Sequence, residues 1–198
     1  MKALRKIGIH NENIFNWLNY DFLPDSQGFK FEMHNLNILD DVKLDYDAFQ
    51  SIFEEVIDEI IIKPPFRDEE WGGFCLDTWD FVNDRVDYSL TNKCELTSKY
   101  LNMLINSDIE PQYNGYCECL NWKYFLNLIF DCILSNSAPY SLLFFVPKYD
   151  FVFYFHHTSS IGFLYKELNE CVLEIIERAK KVNFELKYVN DERVIMLQ

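Results

Sequence analysis

Apolar side chains recur at helical spacing over residues 47–62, where Phe49, Ile52, Phe53, Val56, Ile57 and Ile60 share one face. The spacing predicts an amphipathic helix there, ended by Pro64-Pro65. A second strong amphipathic pattern covers residues 164–180, and a third helix is expected over 97–106 with Thr97 or Ser98 as its cap. Residues 11–19 read as a short helix, with Asn11 as cap and Ile14, Phe15 and Leu18 on one face. Residues 121–134 are apolar nearly all round, which predicts a buried central helix. Between 140 and 156 the period changes. Residues 140–146 and 151–156 are rich in aromatic and β-branched side chains, and Pro147-Lys148-Tyr149-Asp150 separates them as a turn. Such a hairpin, apolar on both faces, belongs in the centre of a sheet. Residues 184–189 alternate as a strand, 194–197 read as another, and Asn114-Gly115 marks a turn. Strands segregated from several helices give an α+β class: helices packed around a mostly antiparallel sheet, with the aromatic hairpin at its centre. No repeat, low-complexity tract or linker interrupts the 198 residues, so one domain over 1–198 is expected.

Composition excludes a disordered acidic tail, because 49% of the chain is hydrophobic and 17% aromatic. The charge is −14, which disfavours direct binding to nucleic acid or to an anionic membrane and points to a basic partner. Lys2, Arg5 and Lys6 are not followed by an apolar run of signal-peptide length. The most hydrophobic stretch, 142–155, is interrupted by Pro147, Lys148 and Asp150 and is too short for a bilayer span. A cytoplasmic protein with reduced thiols at Cys75, Cys94, Cys117, Cys119, Cys132 and Cys171 is expected.

The negative charge is uneven. Residues 40–95 carry 16 acidic and 5 basic side chains, whereas 111–198 carry 10 and 8. On the helix expected over 164–180, Glu174 with Arg178 and Glu177 with Lys181 are spaced to compensate one another. On 47–62, Glu54 with Asp58 and Glu55 with Glu59 are like-charged pairs with no cation among them. The expected partner-binding surface therefore comprises Asp40, Asp41, Asp45, Asp47, Glu54, Glu55, Asp58, Glu59, Asp68, Glu69, Glu70, Asp77, Asp80 and Asp84. Trp71 and Trp79, interleaved with these carboxylates, are its expected aromatic anchors.

Catalytic signatures are missing: the chain has no P-loop, dinucleotide fingerprint, nucleophile elbow or His-Glu-x-x-His helix. Gly72-Gly73 reads as a turn or a close backbone approach, since its acidic flanks would repel phosphate. Cys117-Glu118-Cys119 lacks the second pair a zinc site needs, so no metal or cofactor is expected. His156-His157 is the most enzyme-like feature, with Asp150 or Glu167 as a conceivable orienting carboxylate. Adjacent strand residues point to opposite faces, which argues against one shared imidazole site. The balance favours a binder over a catalyst.

The segments running from Pro64 through Trp71-Gly72-Gly73 to Phe74, and from Phe153 through His156-His157 to Phe163, resemble those of bacterial polymorphic-toxin immunity proteins of the contact-dependent-inhibition and Maf type. The resemblance also covers size and acidity over much of the chain. It implies a cytoplasmic antitoxin that binds the C-terminal toxin domain of a sister cell and covers its active site. Many such toxins are nucleases with basic clefts, EndoU-like ribonucleases among them. Immunity families differ in fold, so no binding residue is carried over by motif, and the expected interface rests on the charge map. The rivals are a small hydrolase or nucleotide-processing enzyme using His156 or His157, and an acidic adaptor for another basic protein.

Overall fold

A computed structural model describes residues 2–8, 29–35, 45–64, 70–138, 141–156 and 159–188. In chain order its elements are β1 (Leu4–Lys6), β2 (Phe29–Asn35), α1 (Tyr46–Phe53), β3 (Ile61–Lys63), β4 (Trp79–Asp80), β5 (Arg85–Val86), α2 (Glu95–Asn106), β6 (Cys117–Cys119), α3 (Trp122–Leu134), β7 (Leu143–Val146), β8 (Phe151–Phe155), β9 (Ile161–Tyr165), α4 (Glu170–Lys181) and β10 (Phe184–Tyr188). Among the described residues, eight strands form one antiparallel sheet in the order β1-β6-β3-β7-β8-β9-β2-β10, and β4 pairs with β5 in a separate ribbon. The expected α+β class is what the chain adopts.

The aromatic hairpin is central, as its sequence requires. Every residue of β7, β8 and β9 is buried. Phe144, Val146, Phe151, Phe153, Phe155 and Phe163 belong to the core shared with the helices. Residues of the opposite parity, Leu143, Phe145, Val152, Tyr154 and Leu164, are buried as well. Between the strands, Pro147–Tyr149 make one 3-10 turn and Asp150 takes a left-handed conformation with φ 51°. That residue type tolerates it better than most. The helices dock through rings: Phe53 stacks on Phe153 with centroids 4.1 Å apart, and Phe49 stacks on Trp122 at 5.1 Å. Side-chain caps fix their starts, with Asp45 accepting from the Ala48 N–H at 2.8 Å, Asn121 from Tyr124 at 3.1 Å and Asn169 from Val172 at 3.0 Å.

Several element boundaries differ from the periodicity. The helix expected over 47–62 stops at Phe53; a 3-10 turn follows at Ile57–Glu59, and Ile61–Lys63 become a strand between β6 and β7. Consecutive isoleucines suit a pleated strand between two neighbours, and that pairing overrides the helical spacing. Likewise Ile161–Tyr165 join the sheet, so the second amphipathic helix begins at Glu170 and not near 164. The helix expected from 97 begins at Glu95, capped by the Cys94 sulfur. The expected all-round apolar helix keeps an exposed stripe of Lys123, Tyr124, Asn127 and Asp131, so α3 covers the core without passing through it. The helix expected over 11–19 and the strand over 194–197 lie outside the described residues.

Gly162 is opposite Tyr154 in the β8–β9 register, and the tyrosine ring fills the space a Cβ would take. Aromatic cover of a strand glycine is a recognised way to pack such a site. Gly162→Ala should therefore cost about 1–3 kcal/mol by overpacking. Urea unfolding would read the loss, and adding the same methyl in a Tyr154→Ala background should cost much less.

Candidate functional site

The carboxylates expected to form one partner surface fall into two described groups. On the first, Asp45 is consumed in capping α1, and Asp47 and Asp58 are exposed. Glu54 and Glu55 are exposed too, but they are not free of cations. The Arg178 side chain of α4 is only 15% exposed and reaches Glu54 at 2.7 Å, Glu174 at 3.0 Å and Glu55. Burial disfavours the charged guanidinium, but the bonds from Glu174 and Glu54 and the field of Glu55 outweigh it and hold its pKa above the usual value. Glu59 pairs with Lys148 at 3.0 Å, and Lys180 rather than Lys181 pairs with Glu177, at 2.6 Å. The expectation of an uncompensated α1 beside a self-compensated α4 is therefore overturned. The early end of α1 also removes the like-charged i,i+4 geometry expected for Glu54 with Asp58 and Glu55 with Glu59. The two helices share one charge network around a cleft of about 240 Å³, where Phe53, Tyr149, Cys171 and Ile175 supply apolar wall.

Trp71 is not an anchor. It is fully buried, and its indole N–H donates to the Gly115 carbonyl at 2.9 Å while its own carbonyl accepts from the Tyr100 hydroxyl. Gly72 makes this possible, because the place of a Cβ there is filled by Tyr88 and Pro111 and the 3-10 turn at Trp71–Phe74 closes inward. Glu70 is half-buried and accepts from the Tyr88 hydroxyl. Asp40, Asp41, Asp68 and Glu69 lie outside the described residues.

The second group gathers on the β4–β5 hairpin, where Asp77, Trp79, Asp80 and Asp84 come together with Asp87. At its base the Lys93 ammonium, on a side chain 7% exposed, donates to the Asp77 carbonyl at 2.6 Å and is 3.7 Å from Asp87. The Asp77 carboxylate accepts from the Cys94 N–H at 2.8 Å, and the Asp87 N–H donates to Thr78. Asp80 organises the turn, accepting from the Val82 and Asn83 N–H groups at 3.1 and 3.2 Å and from the Asn83 amide at 2.6 Å. Asp84 closes it in a left-handed conformation, φ 50°. Trp79 is 41% exposed, Phe81 75% and Val82 91%. Trp79 stands opposite Val86 in the register and Asp80 opposite Arg85, so the ribbon has an apolar face and a charged face. Sequence reasoning missed Phe81 and Val82. Their signal was present: apolar residues between two aspartates, in a turn where polar residues are usual.

His156 does not meet its expected orienting groups. His156 follows β8, half-buried, with its backbone N–H donating to the Ser160 carbonyl at 2.9 Å and its ring 5.3 Å from that of Tyr154. Asp150 precedes β8, and Glu167 follows the antiparallel β9, so both sit at the opposite end of these strands from His156. At about 3.3 Å per residue the strand separates them by roughly 20 Å. His157 lies outside the described residues. Cys117 and Cys119 occupy alternate positions of β6, where burial pushes the Cys119 thiol up to about 12 and the Cys117 thiol higher still. Among the described residues no group of His, Cys, Asp and Glu is arranged to hold a metal ion. No described helix is long and apolar enough to cross a membrane. No protein-family model matches the chain, and no curated protein or solved structure is significantly similar to it.

Two outcomes follow from this geometry. Arg178→Met should leave Glu54, Glu55 and Glu174 facing one another and cost about 1 kcal/mol in urea unfolding at low salt, the scale of a few exposed pairs. The deficit should shrink in 1 M salt, where the Debye length is about 3 Å. The bonds from Asn83, first its side chain and then its N–H, hold the Asp80 carboxyl below its ordinary 3.8. A depressed folded value adds stability above the unfolded pKa, and that stability is lost as the pH falls through the folded value. In an NMR titration the Val82 and Asn83 amides should therefore shift together with the Asp80 carboxyl carbon, at a midpoint below 3.8.

Proposed function

We propose that this chain is an immunity protein, an antitoxin that binds and neutralises a cognate basic toxin domain in the cytoplasm, with a nuclease as the toxin. The observation that carries the reading is the hairpin, where Asp77, Asp80, Asp84 and Asp87 share one short ribbon with the partly exposed Trp79 in a chain of charge −14. Hydrogen bonds to their charged forms hold Asp80 and Asp87 below the usual carboxylate range, so both remain ionised at neutral pH. Fixed negative charge beside an aromatic ring suits a cleft built to bind phosphates and bases, because carboxylates answer its cations and a ring answers its stacking surface. Inhibition follows from occupancy, since a nuclease whose cleft is filled by carboxylates cannot bind its substrate. The role requires no catalytic group in this chain.

The test uses the C-terminal domain encoded by the adjacent reading frame, because a toxin and its antitoxin must be inherited together. That domain should cleave nucleic acid, and one equivalent of this chain should stop it. A neighbouring product that neither binds the chain nor is inhibited by it would overturn the reading. Asp47, Asp58 and Asp84 are exposed and make no ion pair among the described residues, so their carboxylates can act on a partner over distance. Changing all three to Asn should lower the association rate by about two- to tenfold at low salt and flatten its salt dependence, leaving dissociation nearly unchanged. Stopped-flow association over a salt series reads both quantities.

A further inference from the structure

The geometry points to the β4–β5 hairpin tip as a preformed apolar anchor: Phe81 and Val82 enter an apolar recess on the basic partner, whose cations rim that recess and meet Asp80 and Asp84. The inference rests on the antitoxin reading and adds to it which residues hold the complex together.

Three observations carry it. First, neither side chain belongs to the buried cluster among the described residues. Phe81 is 75% exposed and Val82 91%, at the tip of a ribbon that pairs with no other described strand. The turn needs Asp80 as acceptor and Asp84 in its left-handed conformation, but it needs no apolar group at positions 81 and 82. Second, the tip is braced by hydrogen bonds within the chain itself. Asp80 fixes the turn, and Lys93 and Asp77 fix the base. A tip already in shape loses little freedom on binding, which is the condition for a few side chains to dominate an interface. Third, the apolar tip is framed by charge of one sign. Asp80 and Asp84 bracket it in sequence, with Asp77 and Asp87 behind. Arg85 and Lys93 are the nearby cations, and both already face carboxylates, Arg85 at 3.8 Å from Asp80 and Lys93 at 3.7 Å from Asp87. A second copy of this chain would bring two such frames together and is disfavoured by repulsion, whereas a basic surface is attracted. The occupant is therefore a basic protein with an apolar depression.

The test divides the two halves of the hairpin by rate. The probe is the C-terminal domain encoded by the adjacent reading frame, with the full-length chain as its partner. Phe81→Ser with Val82→Ser should leave the urea midpoint unchanged, since serine suits a turn and neither side chain is packed. Dissociation should accelerate by about ten- to a hundredfold, the range for hot-spot truncation. The association rate and its salt slope should stay within about twofold of wild type, because no charge has changed. Phe81→Trp should restore slow dissociation. A wild-type dissociation rate for the double serine variant would overturn the anchor while leaving the antitoxin reading in place. A neighbouring product that fails to bind the wild-type chain would overturn both. Sedimentation showing a wild-type dimer that the serine variant abolishes would assign the tip to self-association, and the anchor to a basic partner would again be wrong.

Discussion

Phe153 lies between Phe53 of α1 at 4.1 Å and Phe144 of β7 at 5.0 Å, and both neighbours stack on it nearly parallel. Through this one side chain the middle of the sheet is tied to a helix and to its own neighbouring strand. Ring pairs of this kind add about 0.5–1.5 kcal/mol beyond the area they bury. Around it the ladder continues to Phe163, 4.8 Å from Phe151, and to Phe155, 5.0 Å from Phe144. The helices take their positions from these contacts. α1 lies where Phe49 and Phe53 meet the ladder, and α3 where Trp122 and Phe125 meet Phe144. An error in the β7–β8 register by one residue would exchange Phe144 for Phe145 and turn the ladder away from α1 and α3, so the ring contacts with these helices fix the pairing.

The aromatic ladder also accounts for where the local pattern could and could not be read. The β7–β8 hairpin was legible because its residues are apolar at every position, and only a central strand permits that. The end of α1 was not. Residues 56–60 keep a helical spacing of apolar groups, yet Ile61 and Ile62 are needed opposite Phe145 and Phe144 to extend the sheet. That demand comes from residues some eighty positions away, and no local window contains it. The same reasoning applies to 161–165, whose side chains pair with β8 on one side and β2 on the other before α4 begins.

Charge was legible in amount and misleading in placement. Sequence spacing paired Arg178 with Glu174 alone, and the packing of α4 on α1 made Glu54 and Glu55 its partners too. A long side chain that is largely buried can answer several carboxylates at once, and only the tertiary arrangement says which. The two tryptophans make the same point. Trp71 and Trp79 stand in similar acidic surroundings, but Trp71 is buried with its indole N–H donating to the Gly115 carbonyl, whereas Trp79 begins the β4–β5 ribbon and stays 41% exposed. Eight residues apart, one serves the core and the other the surface.

The hairpin stands apart from the ladder. It belongs to a separate two-stranded sheet, and its tip contributes nothing to the buried cluster. Its shape is set by short-range polar bonds from Asp80, Asp77 and Lys93. A two-stranded ribbon alone is marginal in water, so these bonds are what give it a fixed form. Side chains at 81 and 82 are then released from any packing requirement, and apolar groups there carry a solvation cost that folding does not repay. The core is specified by aromatic stacking far from water, whereas the hairpin tip is held by polar bonds at the surface, so the recognition role proposed for it makes no demand on the packing of the core.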